Sequence, residues 1–108
     1  MATQKNQPVG GRPTPELLEE WKKKYGRIHQ LKVGEFIMIL REPKTVDIER
    51  ALAADPKGKK VFNFNRSIIE NCKLYEDAGA REDDKRLQRF FNAIDQIIDM
   101  QEADVKEL

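Results

Sequence analysis

The sequence predicts an α+β fold, a small antiparallel β-hairpin packed against a mainly helical body with a long C-terminal helix. Three observations carry this. From Leu87 to the C-terminus the large side chains fall on alternating steps of four and three, the period of a helix with one buried stripe. Residues 29–40 alternate and then run continuously apolar on either side of Gly34-Glu35, which is a hairpin pattern. The segments between carry helix start and stop residues at short intervals.

Residues 1–13 hold Gly10-Gly11, two prolines and almost nothing large and apolar. They read as a disordered N-terminal arm, leaving 14–108 as a single α+β domain. Thr14-Pro15 forms an N-cap and first helical position, since the threonine hydroxyl can accept from an orphan amide of the first turn and proline has no amide to leave unpaired. Leu17, Leu18, Trp21 and Tyr25 follow at helical spacing. Glutamates crowd the start of this helix and Lys22, Lys23 and Lys24 its end, an order that complements the helix dipole. Gly26 supplies the stop.

His29, Leu31 and Val33 alternate with Gln30 and Lys32, giving a strand with one wet face. Gly34-Glu35 turns the chain into Phe36–Leu40, apolar on both faces, and Pro43 ends it. Such a strand needs cover from beyond its own hairpin. One face is expected on the helices containing Trp21 and Ile68. The other, carrying Ile37 and Ile39, is the expected seat of a neighbouring subunit or client. A second helix runs from Thr45 to Asp55-Pro56, and a third carries Val61, Phe62, Asn65, Ile68, Ile69, Cys72 and Tyr75. Residues 76–84 read as an acidic loop, with Asp83 or Asp84 capping the last helix.

That last helix bears the series Leu87, Phe91, Ile94, Ile98, Gln101, Val105, Leu108, in which Gln101 is the polar member. This is an a/d seam, widened on one flank by Phe90 and Ile97, and another helix must cover it. The cover is either the chain's own body or a partner. Leu87, Phe91, Ile94, Ile98, Val105 and Leu108 are therefore the expected protein-interaction residues, together with Ile37 and Ile39.

Nothing comparable points to chemistry. Cys72 lies on an apolar helical face and reads as buried packing, and His29 as a half-exposed strand residue. A zinc site of His and Cys ligands cannot be built from one of each. Lys57-Gly58-Lys59-Lys60 lacks the upstream glycine and following hydroxyl of a phosphate loop, and the acids of 76–84 lack calcium-loop spacing. The expectation is a non-enzyme with no cofactor. Basic and acidic residues number 20 and 19, a balance that argues against a nucleic-acid partner. No run of 18 apolar residues occurs, which argues against a membrane, and a lone cysteine fits the cytoplasm.

In order, Trp21-Lys22-Lys23-Lys24-Tyr25-Gly26, a hairpin ending in Leu40-Arg41-Glu42-Pro43, a helix, Asn71-Cys72 late in the next helix, and an acidic segment before a long terminal helix resemble the small tail-assembly-chaperone-like proteins of tailed phages and prophages. Lys73-Leu74-Tyr75 stands where that family carries a Trp and Gly-Gly-Asp. The resemblance implies a non-enzymatic protein that binds the tape-measure protein during tail assembly, and the seam on the last helix adds the expectation of a homo-oligomer. Two readings of the residues remain beside it: a homodimeric helical adaptor, and a small nucleic-acid-binding regulator using Lys22–Lys24 and Lys57–Lys60.

Overall fold

The computed structural model describes residues 11–54, 57, 62–99 and 106–108. The chain is α+β. Its described elements are α1 (Pro15–Tyr25), β1 (Ile28–Val33), β2 (Phe36–Arg41), α2 (Thr45–Ala53), α3 (Asn63–Cys72), β3 (Lys73–Glu76) and α4 (Asp84–Asp99). The strands form one antiparallel sheet in the order β1-β2-β3.

Local chemistry sets the boundaries. The Thr14 hydroxyl accepts from the Leu17 amide at 3.2 Å, and Gly26 ends α1 at φ 82°, a conformation that favours glycine. Asp47 reaches back to the Lys44 amide at 2.8 Å and so closes the first turn of α2. For α4 the cap is Asp83, whose carboxylate accepts from the Arg86 amide at 2.9 Å. Val33 pairs with Phe36 across the two-residue turn at Gly34-Glu35, where Gly34 adopts φ 61°.

β3 departs from the expected pattern. The third helix stops at Cys72, and the next four residues form a strand against β2. Tyr75 lies opposite Ile39 and Lys73 opposite Leu40. Leu74 is thus the extra residue of a β-bulge. β2 is thereby the central strand, which accounts for its apolar run.

The main core lies on one face of the sheet. Leu31, Met38 and Leu40 join Ala51, Ile68, Ile69, Cys72, Ala80, Phe90, Phe91, Ile94 and Ile97 in a single buried cluster. The Phe62 and Phe91 rings meet at 4.8 Å. Asn65, itself buried, ties α3 to α4 by donating to the Phe91 carbonyl and to Asp95.

The opposite face carries Ile37, Ile39 and Arg41, with Tyr75 and Asp77 beside them. Arg12, just before α1, donates to Asp77 at 2.9 Å and to the Glu35 carbonyl. Ile37 and Ile39 are buried outside the main cluster, and the apolar residues of α1 do not join that cluster either. The helix therefore starts beside the turn end of β2, and its eleven residues span about 16 Å against about 20 Å for the strand. α1 thus runs over this second face, with Leu17, Leu18, Trp21 and Tyr25 half-buried. The expectation that Trp21 and Ile68 share one face is corrected: their helices sandwich the sheet.

Candidate protein-binding groove

The residues expected to bind a partner are mostly covered by the chain itself. Phe91 and Ile94 are 1% and 0% exposed, and Leu87 and Ile98 are partly buried against the same core. The flanking Phe90 and Ile97 are equally sunk. Between Leu87 and Ile98 the stripe is a broad core face rather than an open seam, because α3 and the sheet already fill it. Gln101 and Val105 lie outside the described residues, and Leu108 is fully exposed. Ile37 and Ile39 are 5% and 3% exposed: β3 closes the second edge of their strand, and α1 lies over their side chains.

The polar candidates are absorbed into structural contacts. Asp47, wholly buried, takes both nitrogens of the Arg41 guanidinium at 2.7 and 3.0 Å. Arg41 also donates to the Asn71 carbonyl at 2.8 Å, so one side chain ties β2 to α2 and to the end of α3. The hydrogen bonds from Arg41 hold the Asp47 carboxyl at about 2, against 3.8 ordinarily. Cys72 sits beside this pair, and burial pushes its thiol up to about 11, which leaves it a poor nucleophile at neutral pH. His29 stands 3.4 Å from Glu42.

The acidic segment is equally occupied. Burial opposes ionisation of Asp77, but hydrogen bonds from Arg12, Tyr75 and the Ile37 amide outweigh it and lower its pKa. Burial, then the bond to Asp77, raises the Tyr75 phenol to about 12. Arg81 clamps Glu76 at 2.7 and 2.9 Å. Arg86 donates to the Gly79 and Ala80 carbonyls at 2.8 Å each and lies 3.9 Å over the Phe36 ring. These arginines turn an acidic loop into an ordered corner.

One surface is unfilled by the described chain. Between β1 and α4 runs an open groove of about 700 Å³. Leu31, Ala93 and Ile97 line its apolar part, and its two permanently charged residues, Lys32 and Arg89, are both cationic. Both are exposed and neither forms an ion pair among the described residues.

The backbone along this groove follows from the ladder. The Glu42 amide donates to the Arg27 carbonyl at 3.1 Å, so in an antiparallel pair residues 29, 31 and 33 face β2 in the same way. Ile28, Gln30 and Lys32 therefore direct their N–H and C=O groups outward. No described strand pairs with that edge. The alternation of Gln30 and Lys32 marked β1 as having a wet face. It could not mark β1 as an edge strand, because strand order depends on β3, some forty residues further along the chain.

No helix among the described residues is long and apolar enough to cross a membrane. No known protein family, curated protein or solved structure matches the chain.

Proposed function

We propose that this chain is a non-enzymatic protein-binding module acting as a tail-assembly-chaperone-like protein, with a phage tape-measure protein as its client. The observation that supports the reading is the groove at the outer edge of β1. Among the described residues it offers backbone donors and acceptors without a strand partner, an apolar floor from Leu31, Ala93 and Ile97, and cations without an ion pair, which is the equipment of a peptide-recognition surface. The order of motifs from Trp21 to the terminal helix supports the client's identity. The titratable groups gathered elsewhere are engaged with one another in structural pairs.

Co-expression with the long helical protein encoded in the adjacent gene tests the reading. The expected result is that the client becomes soluble and co-purifies with this chain, and that the client expressed alone precipitates. A client whose solubility is the same with and without the chain, and which does not co-purify, overturns it.

A further inference from the structure

We infer that the outer edge of β1 captures an extended, acidic segment of its protein partner as an added strand, with apolar and carboxylate side chains alternating. The inference rests on the protein-binding reading and specifies how the partner is held.

Three features of the groove lead there. The first is backbone polarity. Ile28, Gln30 and Lys32 present donors and acceptors in alternation along the open edge, and only another peptide backbone answers both kinds of group at that spacing. A phosphate backbone carries acceptors alone and would leave the outward carbonyls without a partner.

The second feature is the difference between the two sides an added strand would have. Side chains on the side of Leu31 and Val33 meet α4 at Ala93 and Ile97, which belong to or pack on the apolar core. Side chains on the other side stand beside Gln30 and Lys32, both exposed. A strand satisfies both sides when apolar residues alternate with polar ones.

The third is charge. Among the described residues Lys32 and Arg89 are unpaired and no carboxylate lines the groove. A carboxylate on the side of Lys32 completes its pair and a lysine there is repelled, while Arg89, on α4 one turn before Ala93, adds attraction for a strand of net negative charge. The same charges disfavour a second copy. Two β1 edges paired about a two-fold axis bring both Arg89 side chains, on neighbouring α4 helices, into one shared groove.

The experiment measures fluorescence anisotropy with two labelled probes, Gly-(Val-Glu)3-Gly and Gly-(Val-Lys)3-Gly, on the full chain. The expected result is binding of the acidic probe about tenfold or more tighter than the basic one. Gln30→Pro removes an outward N–H and no ladder bond, so it is compatible with an edge strand. It is expected to weaken the acidic probe about tenfold or more with the circular dichroism spectrum unchanged. Lys32→Glu with Arg89→Glu, at two exposed positions, is expected to invert the preference between probes. It carries the test alone if Gln30→Pro does not fold.

Equal affinity for the two probes, absence of binding, or an inverted-charge variant that keeps the wild-type preference each overturns the inference. So does a wild-type dimer in sedimentation that Gln30→Pro converts to monomer, since the edge is then a self-interface. The two proposals fail separately. A tape-measure client still retained by Gln30→Pro removes the added strand and leaves the protein-binding module. A client that the wild type never retains removes the chaperone reading, and the probes still decide the edge.

Discussion

On one face of the sheet Met38 and Leu40 belong to a wholly apolar cluster with Ile68, Phe90 and Ile94. On the other, Ile37 and Ile39 lie beneath α1 within a frame of charges, with Arg12 on Asp77 at one end and Arg41 on Asp47 at the other. The two faces are differently specified. Burial of hydrocarbon is non-directional, so the first face resists dissociation without dictating where helix ends lie. Bidentate guanidinium–carboxylate contacts are directional, so the second face fixes position. It also makes that part of the molecule sensitive to acid.

The sharpest way to break the first face is Ile94→Asp. It places an unpaired carboxylate at a site with 0% exposure and is expected to cost about 4 kcal/mol or more. A domain of this size holds about 5–15 kcal/mol in all, so a shallow or absent thermal transition is expected. A melting curve superimposable on wild type would show that the α4 face is not core.

Asp47→Ala tests the charged contact at the far end of β2, which joins the strand to α2 and to the end of α3. It strands the Arg41 guanidinium and removes the α2 cap, with an expected loss of about 3 kcal/mol by urea denaturation. The pH dependence has a definite sign. The folded-state pKa of Asp47, about 2, lies below its ordinary 3.8, so its contribution is complete above about pH 4. It is lost as the pH falls towards 2. Asp47→Ala is expected to lack that component of acid destabilisation. A variant that follows the wild-type acid profile would remove Asp47 from the account.

The smallest effect is expected from Arg12→Ala. Its side chain is 41% exposed, where screening by solvent weakens an ion pair. The midpoint of global unfolding should hardly move, whereas amide exchange in α1 should quicken relative to α4, because one anchor of that helix is gone. Equal protection of α1 in both proteins would mean that apolar contacts alone hold it.

What was legible in the sequence was what depends on near neighbours. Thr14, Gly26, Gly34-Glu35 and Asp83 mark ends that local hydrogen bonding decides, and the structure uses each of them so. The burial of Phe91 and Ile94 could be read from their period, but not what would cover them, since intramolecular and intermolecular helix packing share that period. β3 was hidden because four residues are too short to show alternation and its bulge at Leu74 breaks what pattern there is. The groove was hidden for the same reason: whether β1 is an edge strand depends on where β3 joins. Arg41–Asp47 is six residues apart in sequence, yet nothing in the spacing shows that α2 turns back onto the strand end.

The arrangement of β3 has a consequence for the order in which the protein is built. The hairpin closes through a two-residue turn, so β1 and β2 can pair within microseconds of emerging. The other edge of β2 must wait for residues 73–76. At ordinary rates of synthesis, the 31 residues between them take about 2–6 s. During that interval a strand apolar on both faces has one edge unsatisfied, the condition under which nascent chains join one another. Placing β3 directly after α3, with no linker, shortens the exposure: the helix that docks on β2 delivers its missing neighbour in the same movement.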